Sequence, residues 1–267
     1  MSSIIIWTNK ESNNDNLWAV SDSRYTHSNH QSIITNNGPK IFELPIVCTG
    51  PGKAGFFTEQ YYYHRIGFAF AGSVTAALCI YTNIANFLSH LSSIDRIIPS
   101  IKDINDFIIM IAKKYTCPIK NPYVIEFATF GYCQYEGKNQ VFYTIIDEKN
   151  CVNTTDKSED CKNLPLLLGA HKEEILKNIY DFSTTNPQLS SRTPMKVLKS
   201  IIENNVYPDI GGAIQLGYNI GIDFTLSSVS CKNFENENDS LQFRNIDIMR
   251  ENGFVGDCFI NINGICC

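Results

Sequence analysis

Two serines, Ser2 and Ser3, follow the start methionine and lead directly into the apolar run IIIW. Removal of Met1 is routine processing before a small residue, and it would leave a hydroxyl beside a free α-amine. An unperturbed α-amine has a pKa of about 7.7 to 8.0, close to the value that suits a base at neutral pH. A serine hydroxyl becomes a nucleophile when a neighbouring base takes its proton. Because many proteins begin in this way, the start alone does not assign a function.

Cysteines are the second group of residues with chemistry of their own, and there are ten of them. Most are scattered through apolar segments, so we predict that they are small core residues, as at Cys48, Cys79, Cys133 and Cys231. Two other sets could form a bridge or hold a metal: Cys151 with Cys161, and the terminal Cys266 with Cys267. Neither set has a CxxC or CxxH partner, and the five histidines do not cluster with them. We therefore predict no metal site and no cofactor.

Length and charge bound the class of protein. The chain has 267 residues, of which 43% are hydrophobic, so it can bury one large core, and we expect a single domain over residues 1–267. The net charge of −5 has no long run of one sign, which argues against nucleic acid and anionic membranes as partners. The N-terminus has no leader pattern, and no window reaches the roughly 18 apolar residues of a membrane span. We expect a cytoplasmic protein.

Hydrophobic periodicity predicts strands in the first part of the chain and then two helices. Alternation predicts a hairpin of SIIIWT with LWAVSDSR, followed by the strands KIFELPIVCTG and YYYHRIGFAFAG. The period then changes to three and four residues, which predicts a helix in SVTAALCIYTNIANFLSHL with Ser73 as its cap. A second helix, SIKDINDFIIMIAKKY, has Ser100 and Asp103 in the spacing of a capping box.

The rest of the chain repeats this order. A hairpin is predicted for YVIEFATFGYCQ with NQVFYTIID, and helices for HKEEILKNIYDF and TPMKVLKSIIENN, the latter with Thr193 as cap and Pro194 at its first position. The tail returns to strands in GGAIQLGYNIG, IDFTLSSVSC and FVGDCFINING. Such an order predicts an α+β fold in which two antiparallel sheets pack together and each carries a helix pair on its outer face.

Three motifs in succession resemble N-terminal nucleophile (Ntn) hydrolases of the proteasome type, a family that includes proteasome β subunits and bacterial proteasome-like peptidases. They are WAVSDSRYTH, GPKIFEL with Lys40 eighteen residues after Asp22, and FAFAGSVTAAL before a helix. The later segment TPMKVLKSIIENNVYPDIGGAIQLGYN resembles that family's last helix, glycine pair and following strand. The resemblance covers the chain from Ser2 to about Asn219. It implies the family's four-layer αββα sandwich, which agrees with the predicted order of elements.

The resemblance implies a catalytic group of three residues. Ser2 would supply its side chain as nucleophile and its α-amine as base once Met1 is removed. Asp22 matches the carboxylate that orients the N-terminal residue and the lysine. Lys40 matches the lysine beside the nucleophile, where its positive charge would disfavour protonation of the amine and stabilise the oxyanion. The hairpin before Asp22 is about four residues longer than the family's, so Ser3 stays open as the alternative to Ser2.

Further positions match the rest of the family's site. Gly72 matches the glycine whose backbone N–H donates to the tetrahedral oxyanion. Arg24 and Thr26 match residues that line the site, and Thr26 would pair with the backbone of an extended substrate. We interpret His171, which follows the segment LLLGA, as a helix-cap histidine with a structural role, and a role in the site stays open as the alternative.

Two segments depart from the family pattern. The family's late motif carries an aspartate and a serine that support the nucleophile's amine, but Tyr207 and Ile210 stand at those positions here, with Asp209 displaced from the first. Gly169 and Ala170 stand where a Gly-Ser pair usually lies, so that hydroxyl is missing.

The leading hypothesis is a peptidase that cleaves amide bonds of a peptide or protein substrate through Ser2, assembled as a homo-oligomer, with an ATPase partner left open. A non-catalytic assembly subunit and a small-molecule amidase of the wider superfamily are the alternatives. The aromatic insert around residues 53–65, within GKAGFFTEQYYYHR, is absent from simple peptidases. A pocket lid and a subunit contact are both open interpretations of it.

Overall fold

The computed structural model of the chain describes residues 3–11, 15–27, 32–116, 124–185, 191–232, 239–243, 246–247, 254–255, 258–260 and 262–266. Two compact units are present. The first unit comprises Met1–Ile41, Lys162–Tyr218 and Leu226–Cys267, and the second comprises Phe42–Cys161 and Asn219–Thr225. The single domain expected over residues 1–267 stays a prediction.

The described strands and helices follow the predicted order, with additional short strands. The strands are β1 (Ser3–Asn9), β2 (Asn16–Ser21), β3 (Tyr25–Thr26), β4 (Ile33–Thr35), β5 (Ile41–Gly50), β6 (Glu59–Gly72), β7 (Leu91–Ser92), β8 (Ile125–Cys133), β9 (Lys138–Ile146), β10 (Val152–Asp156), β11 (Leu166–Gly169), β12 (Gln215–Ile220), β13 (Asp223–Lys232), β14 (Asp239–Phe243), β15 (Ile246–Asp247), β16 (Phe254–Val255), β17 (Cys258–Phe259) and β18 (Gly264–Cys266). The helices are α1 (Val74–Leu88), α2 (Ile101–Thr116), α3 (Lys172–Thr185) and α4 (Thr193–Glu203).

The first unit is built on a sheet with the strand order β11-β1-β2-β12-β13-β14-β15 in its described part. The predicted hairpin of β1 and β2 is confirmed, with Trp7 opposite Trp18 across the ladder. One face of the sheet forms a core with α3 and α4, because both helices turn an apolar stripe inward. The buried residues of this core are Ile5, Trp7, Trp18, Val20, Leu167, Ile175, Ile179, Met195, Val197, Leu198, Ile201, Ile210, Ile214, Leu216 and Val229.

The second unit holds the other sheet, with the order β10-β9-β8-β6-β5-β7, together with α1 and α2. The predicted hairpin of β8 and β9 is confirmed by a continuous antiparallel register. Aromatic rings join the strands to helix α1: Phe68 lies 5.8 Å from Phe127, and Tyr81 of α1 lies 4.3 Å from Phe42 between ring centroids. Each sheet also contains one parallel pair, β13 with β18 and β5 with β7, where only antiparallel pairs were expected.

The predicted caps of three helices can be compared directly with the structure. Ser73 caps α1, since its side chain accepts from the Ala76 N–H. The capping box of α2 is confirmed, because Ser100 Oγ accepts from the Asp103 N–H and Asp103 Oδ2 accepts from the Ser100 N–H, each at 3.1 Å. The prediction for α4 is wrong by one residue: the helix begins at Thr193 itself, because residues 191–192 already form a 3₁₀ turn that leads into it.

The cysteine predictions are confirmed only in part. Cys48, Cys133 and Cys161 are buried, but Cys79 is exposed on α1, so its prediction as a core residue is wrong. Cys151 is an exposed free thiol, and it forms no bridge with Cys161. The side chains of Cys231 and Cys266, and all of Cys267, lie outside the described residues. No group of three His, Cys, Asp or Glu side chains in the described ranges is arranged to hold a metal ion.

Two further segments differ from a simple strand. FVGDCFINING was predicted as one strand, but its described residues form two short strands: β16 pairs antiparallel with β17, with Val255 opposite Cys258. The aromatic insert is half loop and half strand, since β6 starts at Glu59, and Phe56 in the loop is 72% exposed. None of the described helices combines the length and the apolar character needed to cross a membrane.

Candidate active site

Asp22 is the centre of a buried polar cluster in the first unit. It directly follows β2, and its side chain is inaccessible to solvent. Its Oδ1 accepts from the Ser3 N–H at 3.0 Å and from Lys40 Nζ at 2.6 Å. Its Oδ2 accepts from the backbone N–H groups of Arg24 and Gly211, each at 3.1 Å. Four donors therefore compensate the cost of burying this carboxylate.

Lys40 is the cationic partner, and both its backbone N–H and its side-chain ammonium group are hydrogen-bonded. The residue immediately precedes β5 and is fully buried, with its side-chain ammonium group on Asp22. Its backbone N–H donates to Gln215 Oε1 at 3.0 Å, and Gln215 Nε2 donates to the Gly38 carbonyl at 2.7 Å. Burial lowers the pKa of Lys40 below its ordinary value, and the nearby carboxylates of Asp22 and Asp209 oppose that change.

The start of β1 brings the N-terminal segment to this cluster. Ser3 is fully buried and pairs with Gly169 across the β1–β11 ladder. Its Oγ makes no hydrogen bond to any atom of the described chain, so the contact with Asp22 is through its backbone alone. Ser2 lies outside the described residues. It is nevertheless joined by a peptide bond to the nitrogen that donates to Asp22.

Arg24 organises the loop before β12. Its Nη1 donates to the carbonyls of Pro208 and Ile210 at 3.0 and 3.3 Å, and its Nε donates to Asn36 Oδ1 at 2.9 Å. Gly211 leaves room for this side chain, since a Cβ there would lie 2.2 Å from Arg24 Cζ. Arg24 therefore supports the loop that contacts Asp22.

Other predicted positions lie outside this polar cluster. Thr26 is half-buried at the end of β3, where it pairs with Ile33 of β4. Gly72 belongs to the second unit and ends β6 with φ +108°, and a Cβ there would lie 2.2 Å from the Val124 carbonyl oxygen. The backbone at Gly72 thus requires glycine. The predicted role of its N–H toward an oxyanion stays a prediction.

A second polar group surrounds the residues that depart from the family pattern. His171 Nε2 lies 3.0 Å from Asp209 Oδ1, and the imidazole stacks on the ring of Tyr207 at 3.9 Å between centroids. The Tyr207 hydroxyl donates to Glu174 Oε2 at 2.7 Å. Ala170 and Ile210 are buried beside these residues in sequence.

Two features of this region were missed from the sequence. Gln215 carried no motif, although a polar residue at the start of a buried strand is a signal for a buried hydrogen bond. The pairing of His171 with Asp209 joins residues 38 positions apart, so spacing gave no sign of it.

Tyr207 gives a direct check of this second group. Burial and the hydrogen bond to Glu174 raise its pKa to about 12. We expect that the phenolate absorbance of the native protein, minus that of Tyr207→Phe, titrates near that pH and not at the ordinary value of about 10. Since the folded pKa is the higher one, the contribution of Tyr207 to stability is complete below pH 10 and is lost as the pH rises toward 12. A difference titration centred at 10 would contradict the hydrogen bond.

The chain is similar to known proteins in its fold and not in its sequence. The chain matches no protein-family profile, and no curated protein matches it in sequence. Among solved structures it is similar to the helical assembly of the Anbu complex from Pseudomonas aeruginosa, with 16% identity, a TM-score of 0.53, and coverage of 80% of this chain and 79% of that one. The Anbu (Gly-1) mutant from Hyphomicrobium sp. strain MC1 gives 15% identity, a TM-score of 0.53, and coverage of 84% and 85%.

The chain has a proteasome-like Ntn fold. Anbu is an ancestral β-type proteasome-like complex, and the likeness spans most of both chains. The predicted fold class, α+β with two sheets and two helix pairs, is thereby confirmed. At this level of identity the likeness concerns the fold alone.

Proposed function

We propose that the protein is a proteasome-like N-terminal nucleophile peptidase that hydrolyses amide bonds through Ser2 after removal of Met1. The observation that carries this proposal is the shared oxygen of Asp22. Oδ1 accepts both from Lys40 Nζ and from the amide nitrogen to which Ser2 is bonded. A buried lysine and the backbone amide that follows the proposed N-terminal residue thus donate to the same carboxylate oxygen.

In the proposed reaction, Ser2 Oγ attacks the substrate's carbonyl carbon while its proton passes to the α-amine of the same residue. The resulting oxyanion is stabilised by the charge of Lys40, and the part of the Gly72 N–H in this step stays a prediction. As the C–N bond breaks, the ammonium returns its proton to the leaving amine. Water then attacks the acyl-enzyme, the amine again accepts a proton, and Ser2 Oγ leaves with it. Neither a cofactor nor a metal is needed for these steps.

The pairing of Lys40 with Asp22 fits this scheme, because the carboxylate opposes the fall in the pKa of Lys40 that burial causes. A base at the N-terminus works only while it is unprotonated, and a positive charge nearby disfavours its protonation. Asp22 holds that charge in place without exposing it to water. Arg24 supports the loop behind the carboxylate, while Thr26 and Gly169 are proposed to contact the substrate or support the site.

A second candidate function is a non-catalytic assembly subunit of the same fold. The residues at three support positions favour it: Ala170 carries no hydroxyl, Ile210 is a buried hydrocarbon, and Tyr207 binds Glu174. The buried pair of Asp22 and Lys40 favours catalysis instead, because a structural subunit gains little from a buried charge pair. An amidase for small molecules would use the same Ser2 chemistry on another substrate.

Assembly is part of the proposal. The Anbu structures are described as a complex and as a helical assembly. We propose that this chain also forms a homo-oligomer in the cytoplasm and acts on a peptide or protein, with an ATPase partner as an open addition. The exposed Phe56 and Phe57 of the aromatic insert offer an apolar contact for such an assembly or for a lid.

Intact mass measured before and after treatment with a β-lactone, epoxyketone or fluorophosphonate probe tests the proposal. The expected result is a chain without Met1 that gains a single adduct, mapped to Ser2 by peptide sequencing. A chain that keeps Met1, or a bare Ser2 that no probe modifies, would support the non-catalytic subunit. An adduct followed by turnover of small amides but not of peptides would support the amidase.

A further inference from the structure

We propose that His171 is a positioning residue that holds the Asp209 carboxylate toward Lys40 and so helps to keep the lysine charged. This role in catalysis rests on the function proposed above, whereas the electrostatic link between the residues can be tested without any activity. From the sequence His171 was interpreted as a structural helix cap with a site role as the alternative, and Asp209 was displaced from the family's aspartate position.

Asp209 lies in a loop whose backbone is fixed at both sides of it. The carbonyls of Pro208 and Ile210 accept from Arg24, and the Gly211 N–H donates to Asp22. The residue itself is only 4% exposed. Because a buried carboxylate needs donors that orient it, the direction of this side chain depends on its contacts, and the imidazole of His171 supplies one of them.

His171 is itself held in a demanding conformation. Its φ of +55° is uncommon for a residue with a side chain, and such strain persists only where the surroundings enforce it. The ring is stacked on Tyr207, at an interplanar angle of 16°. Nε2 faces Asp209 at 3.0 Å, and Nδ1 faces Glu174 at 3.5 Å. The imidazole is therefore fixed between two carboxylates, with Nε2 aimed at the buried one.

Lys40 is the group that responds to Asp209. Burial lowers the pKa of Lys40 and so favours its neutral form. The negative charges of Asp22 and Asp209 raise the pKa, and the positive charge of Arg24 lowers it further. If His171 were replaced, Asp209 would lose one of the contacts that orient its carboxylate, and its charge would act less on Lys40. The lysine would then lose its proton at a lower pH, and the positive charge proposed to protect the N-terminal amine would be lost.

The test compares two replacements of His171 that differ in reach. In His171→Asn the amide occupies the region of Nδ1 and cannot contact Asp209, but asparagine tolerates the left-handed backbone. In His171→Gln the longer side chain carries its amide nitrogen to the region of Nε2. Asp209→Asn removes the charge itself. Glu203→Gln, which alters the exposed pair with Lys199 on α4, is the matched control.

Lys40 is observed by NMR of protein labelled with ¹³C at lysine Cε, and its signal is assigned by its absence in Lys40→Arg. We expect the pKa of Lys40 to fall in Asp209→Asn and in His171→Asn, to be restored in His171→Gln, and to stay unchanged in Glu203→Gln. In the same proteins, the rate of probe addition to Ser2 near neutral pH should fall in the first two variants and stay unchanged in Glu203→Gln, because less of the lysine carries its charge.

The outcomes separate this inference from the proposed function. An unchanged Lys40 titration in His171→Asn overturns the inference, even if Ser2 reacts with the probe. A lowered titration with a native Ser2 that is inert to every probe overturns the proposed function and, with it, the catalytic role of His171. Equal losses in the asparagine and glutamine variants would contradict the assignment of Nε2 as the contact.

Discussion

Replacing Ser2 with alanine is expected to reduce amide hydrolysis by a factor on the order of 10⁵ to 10⁶ while the fold is retained. The alanine methyl group cannot attack a carbonyl carbon. The proposed contributions of Lys40 and Gly72 to stabilising the oxyanion therefore have no effect, because no oxyanion forms. Steady-state hydrolysis of a fluorogenic peptide measures the loss, and circular dichroism with gel filtration checks the fold and the assembly.

Ser3→Ala is the matched control for this experiment. The Ser3 side chain is buried and its Oγ has no hydrogen-bond partner in the described parts of the chain, so alanine should fit at little cost. Its amide still donates to Asp22, and activity should persist. The reverse result, with loss in Ser3→Ala and not in Ser2→Ala, would make Ser3 the nucleophile. Lys40→Ala should act nearly as strongly as Ser2→Ala, and hydrolysis that survives both would contradict the mechanism.

Asp22→Asn is expected to destabilise the fold more than any other single change at the site, by about 3 to 5 kcal/mol. The substitution leaves the buried Lys40 ammonium without its counter-charge, and one of the amide's two ends presents hydrogens where Asp22 has an accepting oxygen. The loss is measured as a lower urea midpoint of the chain in equilibrium unfolding, monitored by tryptophan fluorescence.

Two further variants serve as controls for the Asp22→Asn result. Asp106→Asn changes an exposed carboxylate that pairs with Lys102 on α2, and it should move the midpoint far less, since solvent screens such pairs. In the double variant Asp22→Asn with Lys40→Met, both charges are absent, so part of the lost stability should return. If the double variant is as unstable as the sum of the single changes, the pair is not coupled.

The elements were predictable because their signals are local. The capping box of α2 lies within four residues, and the hairpins of β1 with β2 and of β8 with β9 follow from alternation on each strand. Cys79 shows where this fails: apolar neighbours in sequence do not say which face of α1 a residue occupies. Two-residue strands such as β7 were not predicted, since their pairing depends on a partner strand and not on their own sequence.

The candidate site was predictable only where a motif supplied distances that the sequence does not contain. Asp22 and Lys40 were paired from the resemblance, and the structure places them 2.6 Å apart. Gln215 and His171 belong to no motif, and their partners lie far along the chain. Tertiary contacts of this kind come from packing and register, so a single sequence carries no spacing from which to infer them.

The contacts of Asp22 also determine when the proposed site can form during synthesis of the chain. Its carboxylate joins the amide of Ser3 to the amide of Gly211, which lies 189 residues after Asp22. During translation these groups therefore leave the ribosome far apart in time. A growing polypeptide carries Ser2 without the surroundings proposed to activate it until the segment that contains Gly211 has emerged. Under the proposed function, the newly made chain stays inert toward its neighbours until then.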